Sequence, residues 1–280
     1  MDRATIRVRT KILAKSVLSE NFGRVFFVII LEAITTAVLS YLFNGIAAKA
    51  FPNAVANIAG FNVYYAFIAI TLIGEIMLIP LKLGVAEFIL GLVRRKSPKI
   101  ADIFLWYSDG EKLRRVLSYW GWTVFLSLVS IPLVTVPSDY LLGVVNDITA
   151  EAAAQLSGGA QQVVLPAGFI NNTNILLSVG AILLYGIITV RLIAVPYVVA
   201  DGRERNAFKA AVTSWKLMKG HFFEYIVFVL SFFLWGVGMV FTSFILAIYF
   251  VPYFRLSQLI FIEYARAEKD INAMPADEGN

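Results

Sequence analysis

Glu32, Glu75, Lys82, Arg191 and Arg255 stand inside long apolar stretches of the chain. Ionisable groups in hydrocarbon are costly, so they pair with one another or face a water-filled cavity. At about 1.5 Å per residue of helix, Glu75 and Arg255 each lie roughly 18 Å below the outer surface, which makes them an expected interhelical pair. Glu32 and Arg191 share a second level nearer the opposite surface. Lys82 follows Glu75 by two helical turns, roughly 10.5 Å along the axis, and is expected to lie beyond direct contact. Its stem is long enough to snorkel to the interface instead. Two kinds of chemistry follow. The pairs can staple helices together, or Glu75 and Glu32 can act as proton or cation sites on a polar pathway. In the second case Pro80, Pro132 and Pro137 would interrupt helices beside the cavity, where irregular backbone is tolerated.

Other chemistry is excluded. The chain has no cysteine and a single histidine, His221, which removes disulfides, thiolate catalysis, cysteine-ligated metal and any multi-histidine metal site. Neither a phosphate loop nor a dinucleotide-binding glycine motif is present, and no serine stands in a nucleophile elbow. An intramembrane aspartyl protease needs paired aspartates in the bilayer, whereas the aspartates here fall in loops or tails. The expectation is a protein with no catalytic residue, no metal and no cofactor.

The elements that position these charges are membrane spans. Of 280 residues, 59% are hydrophobic and 15% charged, and the mean hydropathy is +0.75, well outside the range of soluble domains. The apolar residues form blocks of about 20 or more, the length that crosses a hydrocarbon core. These run from about Val25 to Ala48, Val63 to Leu92, Tyr119 to Val136 and Ile175 to Val199. A double-length block from Phe222 to Ile262 splits near Gly238 to Ser243. The expected architecture is therefore all-α and polytopic, one integral membrane domain over 1–280 with six spans. Within it, 1–24 is a cytosolic amphipathic segment, 25–92 holds spans one and two, and 93–118 is a cytosolic amphipathic loop. Spans three and four fill 119–199 with an outer loop at about 138–174. A cytosolic amphipathic helix at 200–221, spans five and six at 222–264 and a cytosolic tail at 265–280 complete the chain.

The basic residues orient this arrangement. They crowd the N-terminal segment (Arg3, Arg7, Arg9, Lys11, Lys15, Arg24), the loop from Arg94 to Arg115, the loop from Arg203 to Lys219, and the tail with Arg266 and Lys269. The opposite side has only Lys49, and Val116 to Val190 contains no basic residue at all. The positive-inside bias places both termini in the cytosol. It also accounts for the net charge of +5 without nucleic acid, and juxtamembrane cations attract anionic lipid. Ala48-Lys49-Ala50 imitates a signal-peptide cleavage site, but the apolar run before it is too long for a signal peptide. An uncleaved first span is expected. Asn171-Asn172-Thr173 matches a glycosylation sequon, which matters only in a eukaryotic secretory pathway.

A period of about one hundred residues runs through the chain. Each odd-numbered span follows a basic segment with helical apolar spacing. In the last, Phe208, Ala211, Val212, Trp215 and Met218 form the apolar face, with Lys209, Thr213, Lys216 and Lys219 turned away. The middle one has Ile100, Ile103, Phe104 and Tyr107, a break at Asp109-Gly110, then Leu113, Val116, Leu117 and Trp120. The first has Ile6, Leu13 and Val17. Such segments lie in the headgroup plane. Val17-Leu18-Ser19 with Val25-Phe26 also matches Val116-Leu117-Ser118 with Val124-Phe125 at the same spacing. The repeat unit would be an interfacial helix followed by a membrane hairpin, in a threefold parallel pseudo-repeat.

The stretch from Arg191 to Tyr264 has a distinctive pattern: Arg191 before Pro196-Tyr197, then Ala200-Asp201, Ala207, Ala211 and Ser214, the run Leu217 to His221, Ser231-Phe232 with Trp235, Pro252-Tyr253, and Phe261 to Tyr264. It resembles the bacterial integral membrane proteins grouped as domain-of-unknown-function family 975, and Arg94-Arg95-Lys96 with Asp102-Ile103-Phe104 fits that family's middle region. The resemblance implies a six-span bacterial plasma-membrane protein, with no established activity and no catalytic residues to carry over. The outer loop departs from the family's shorter connection. In physical terms the motif reads as a cytosolic hinge. Pro196 ends or kinks span four, Asp201 caps the interfacial helix, and Gly220 is a permissive joint into span five. His221, beside Lys219 and Glu224, is an interfacial polar anchor or a pH sensor.

Two functions are consistent with these features. One is a non-enzymatic scaffold or accessory subunit that binds anionic lipid at the cytosolic face or a membrane-protein partner. The other is a transporter or channel for a small solute, lipid or peptide that uses the buried polar cluster.

Overall fold

In a computed structural model that describes residues 3–51, 56–58, 61–63, 65–157 and 173–273, the chain is almost wholly helical. Helix α1 (Arg3–Ala50) is two helices joined at Asn21, whose φ of −128° and ψ of 18° leave the helical region. The cause is local: the Asn21 side-chain amide donates to the Val17 carbonyl at 3.2 Å, competing with the backbone for that acceptor. Before the kink, α1 buries Ile6, Thr10, Ala14 and Leu18, one residue per turn. Leu13 is exposed, because the four-residue ladder rather than the bulkiest side chains sets the contact face.

A two-residue-separated hairpin of β1 (Ala56–Ile58) and β2 (Phe61–Val63) pairs Ala56 with Val63, Asn57 with Asn62 and Ile58 with Phe61. Helix α2 (Tyr65–Val93) contains Pro80 and buries Leu83, Val85, Phe88, Ile89 and Leu90 on nearly all sides. Gly84 is required there. A Cβ would strike the backbone carbonyl of Ile103, in a 3-10 helix spanning Ile100–Tyr107 whose Ile103 and Trp106 are buried.

Helix α3 (Gly110–Ser130) continues through a π-helical turn, Ile131–Thr135, into α4 (Val136–Ser157). Pro132 lacks an amide donor and crowds the preceding turn, and a wider turn relieves that crowding. The expected outer loop at 138–174 is thus helical as far as Ser157. Pro137 lies just past the π-helical turn, and Ala150 to Ala154 are strong helix formers. The two asparagines of the sequon lie outside the described residues. Helix α5 (Thr173–Arg191) and the short α6 (Val195–Ala200) meet at a turn, with Pro196 in the first turn of α6. After α7 (Ala207–Met218), Gly220 adopts φ +96°, a left-handed joint open to glycine at little cost. Then come α8 (Phe222–Leu230), α9 (Phe233–Phe241) and α10 (Ala247–Ala273). The break before α10 carries Ser243 and Phe244 at positive φ.

The chain divides into two units. One gathers α1, α2, the 3-10 helix, α3 as far as Trp122 and everything from Arg191 onward. The other holds the hairpin, the rest of α3, α4 and α5 up to Val190. In the first unit α1 packs along α10, and the core centres on Leu256, Leu259, Phe261, Phe228 and Trp106, all fully buried. The aromatic residues of the terminal motif meet there: Phe232 contacts Tyr253 and Phe254 at centroid distances of 5.6 and 5.2 Å, and Trp235 stacks on Phe250 at 5.8 Å.

Five helical stretches are long and apolar enough to cross a membrane: Ile6–Ala50, Ile68–Val93, Gly110–Gln155, Thr173–Ala200 and Phe222–Phe241. Their outward side chains include Tyr41, Leu183, Leu234 and Phe241. So much exposed apolar surface is characteristic of contact with lipid rather than water. The protein is a multi-pass membrane protein. Helix α10, which holds Arg255, Gln258, Glu263 and Arg266, is not among the five.

Candidate functional site

Every polar group of interest belongs to the first unit. Four of the five charges expected inside the membrane pair with one another, but not as depth alone predicts. Arg255 of α10 donates to Glu32 of α1, and Glu32 is buried. Glu75 meets Lys82 at 3.7 Å. Arg191 instead lays its guanidinium over the rings of Trp215 and Phe222, at 4.7 and 5.4 Å, a cation–π arrangement. The expected Glu75–Arg255 and Glu32–Arg191 pairs are therefore replaced. Depth fixes a level but not which helices are neighbours, and α1 packs on α10. The expectation that Lys82 cannot reach Glu75 fails for another reason. Residues seven apart share one helix face, and two long side chains leaning toward each other close most of the roughly 10.5 Å between their turns.

A closed ring of charges binds the ends of α2 and α6 to the side of α10. Arg94, just after α2, donates from Nε and Nη2 to both oxygens of Glu263, each at 3.1 Å, and from Nη1 to Asp201. Arg266 donates to Glu263 at 2.8 Å and to Asp201 Oδ2 at 2.7 Å. Arg203 adds a contact to the same Oδ2 at 3.1 Å. Two acids thus alternate with two arginines: Arg94 grips Glu263 bidentately, the geometry in which guanidinium–carboxylate bonds are strongest, and Arg266 bridges the two acids with one bond to each. Burial pushes the Asp201 carboxyl up, but hydrogen bonds from Arg94 and Arg266 outweigh it and bring it down to about 2. The bond to Asp201, with Glu263 in support, holds Arg94 above its usual value despite burial.

Asp201 was expected to cap the interfacial helix. The cap is Asn206, whose Oδ1 accepts from the Phe208 amide at 2.8 Å, while Asp201 closes the end of α6. Five intervening residues separate Asp201 from the first turn of α7, too many for a cap. Ser214 in α7 ties the turn between α5 and α6 by donating to the Arg191 carbonyl at 2.8 Å and accepting from the Ala194 amide at 3.2 Å. Tyr197 lines a cavity of about 230 Å³ with Arg203, Lys216, Arg266 and Lys269. His221 places Nδ1 3.2 Å from Glu224 and Nε2 3.8 Å from Glu268, so its partners are acids rather than Lys219.

Sequence reasoning missed this ring. The three-residue spacing of Glu263 and Arg266 was a readable helix-surface pair, but nothing local links either residue to Arg94. It missed a second polar contact too: Glu87 Oε2 accepts from Trp106 Nε1 at 2.6 Å and from Lys112 Nζ at 2.7 Å. That contact ties α2 to the 3-10 helix and α3. Among the described residues no group of histidine, cysteine and carboxylate side chains is arranged to hold a metal ion.

A family model for proteins of unknown function, DUF975, matches residues 1–269. The chain belongs to the DUF975 family. The DUF975 match covers the ion pairs, the charge ring and the hinge together, so the resemblance seen in the terminal motif extends over nearly the whole chain. No curated protein and no solved structure matches it.

Proposed function

We propose that this protein is a non-enzymatic scaffold or accessory subunit of the bacterial plasma membrane, which engages anionic lipid through basic interfacial helices on its cytosolic side. The observation that carries this reading is the three-sided character of α7. Ala207, Ala210, Ala211, Ser214, Leu217 and Met218 are buried, Phe208, Val212 and Trp215 are exposed and apolar, and Lys209 and Lys216 form a third, basic side, with Lys219 exposed just past the helix end. A helix in water has no use for the second side. At a membrane interface each side has its own medium: protein, acyl chains and headgroups. The apolar face expected from spacing thus divides in two, with Ala211 and Met218 turned inward.

The start of α1 repeats this, with Val8, Ile12 and Leu13 exposed among Arg7, Arg9 and Lys15. The 3-10 helix exposes Phe104, Leu105 and Tyr107. These three segments support a threefold parallel repeat of interfacial element plus hairpin. In that arrangement α10 serves as a sixth span, its Arg255 neutralised by Glu32, and both termini lie in the cytosol. A transport role would draw on free intramembrane acids; Glu32 faces Arg255 and Glu75 faces Lys82, which favours the stapling role.

The test is lipid retention. Purified protein is exchanged from nanodiscs of mixed phosphatidylglycerol and phosphatidylcholine into detergent, and the bound lipid is identified by native mass spectrometry. Preferential retention of phosphatidylglycerol, reduced in a K209Q/K216Q/K219Q variant, is the expected outcome. Equal retention of both lipids by the unaltered protein would refute the reading.

A further inference from the structure

We infer that the cleft beside the kink of α1 is a discrete phosphate-binding site for the headgroup of an anionic phospholipid. This deepens the reading above and rests on it. The cleft has a volume of about 420 Å³, within the usual range for a small-molecule site. Its polar wall is Ser16, Asn21, Arg24, Arg95, Lys96 and Ser97, and Glu20 is the one acid among its lining residues. Its apolar wall includes Leu13, Val17, Leu92, Val93 and Ile260. Three cations beside a greasy wall suit an amphiphile: the phosphate takes the cations and the glycerol and first methylenes take the aliphatic side chains.

The cations are placed differently from those that staple the protein. Arg24 is held ready, donating to Asn21 Oδ1 at 3.2 Å and to the Pro98 carbonyl, with its guanidinium 5.6 Å from the centroid of Phe88. The residue that kinks α1 therefore also orients an arginine in the cleft. Arg95 and Lys96 make no side-chain hydrogen bond or ion pair among the described residues, in contrast to Arg94 beside them.

The backbone supplies the second argument. Helix α2 ends in a Schellman turn, in which the Lys96 amide donates to the Gly91 carbonyl at 2.8 Å and the Arg95 amide to Leu92 at 3.0 Å. The left-handed position of that turn normally belongs to glycine, yet here it holds Arg95 at φ 55°. A cation is welcome near the carbonyl end of a helix. That alone does not require a strained arginine where glycine fits, and a strained side chain at the mouth of a cleft points to use.

Because glycine is the preferred occupant, Arg95→Gly separates binding from folding. The unaltered protein, R95G, K96Q and the α7 triple lysine variant are compared in detergent by native mass spectrometry, titrated with phosphatidylglycerol, with phosphatidylcholine and with inorganic phosphate. The expected result is that R95G melts at or above the temperature of the unaltered protein while phosphatidylglycerol binding falls about tenfold, as one lost charge-assisted contact implies. K96Q should weaken binding in the same direction. Undiminished phosphatidylglycerol binding in R95G, with loss in the α7 variant, would overturn this site and leave the broader reading intact. Absence of any phosphatidylglycerol preference in the unaltered protein would overturn both. Binding of inorganic phosphate as tight as that of the lipid would also overturn it, by showing that the acyl and glycerol parts contribute nothing.

Discussion

Neutralising Glu32 alone should harm the protein more than neutralising Glu32 and Arg255 together. Breaking a buried pair strands the remaining charge, whereas removing both partners removes the desolvation cost as well. Lipid around the spans does not screen the stranded Arg255, so the penalty for Glu32→Gln should be about 3 kcal/mol, as for breaking a buried pair. Thermal unfolding in detergent should show E32Q melting lowest, with E32Q/R255Q recovering most of the loss. Additive destabilisation in the double variant would show that the two groups are not coupled. Asp201 gives a different signature, in pH. Its carboxyl titrates at about 2 in the folded protein against an ordinary value of 3.8, so folding favours its charged form. That stabilisation is complete above the ordinary value and disappears as pH falls through the folded one. The melting temperature should therefore drop between about pH 4 and about pH 2 by more in the unaltered protein than in Asp201→Asn. A constant gap between the two across that window would remove Asp201 from the acid response.

At the scale of elements, the close approach of α2 and the 3-10 helix makes a sharp prediction about glycines. Gly84→Ala would force a methyl group into the Ile103 backbone at its carbonyl, with no flexible side chain to yield. Gly121 in α3 has open space around its Cβ position, and alanine is the better helix former there. G84A should lose about 2 kcal/mol or more by overpacking, and G121A should gain up to about 1 kcal/mol. Equal melting temperatures would mean that the two helices do not touch at Gly84. This contact also shows what the sequence could and could not reveal. Helix positions were legible because apolar length and charge placement are local properties, and the break near Gly238 to Ser243 followed from a block too long for one crossing. The extension of α3 through Pro132 into α4 was not, since a proline read as a stop can also be absorbed in a π turn. Ion-pair partners were illegible for a related reason. Glu32 could be assigned a depth, but whether Arg191 or Arg255 faces it depends on which helices pack, and that is decided by side chains distant in sequence.

For the molecule as a whole, topology turns on α10. Five crossings put the two ends of the chain on opposite sides of the membrane, and six put them on the same side. The charge pattern argues for six: Arg266 and Lys269 follow α10, and the charge ring joins Arg266 to Arg94 and Asp201, at the ends of α2 and α6. A residue that shares a hydrogen-bonded ring with those helix ends shares their side of the bilayer. The chain has no native cysteine, so single-cysteine variants report location without background. Lys15, Lys96, Lys209 and Asp270 are exposed, as is Lys49. With a membrane-impermeant maleimide, K49C should label in intact cells, and K15C, K96C, K209C and D270C only in inverted vesicles. Labelling of D270C together with K49C would end the six-span arrangement. It would also separate Arg266 from Arg94 by a membrane, so the charge ring would fall with it.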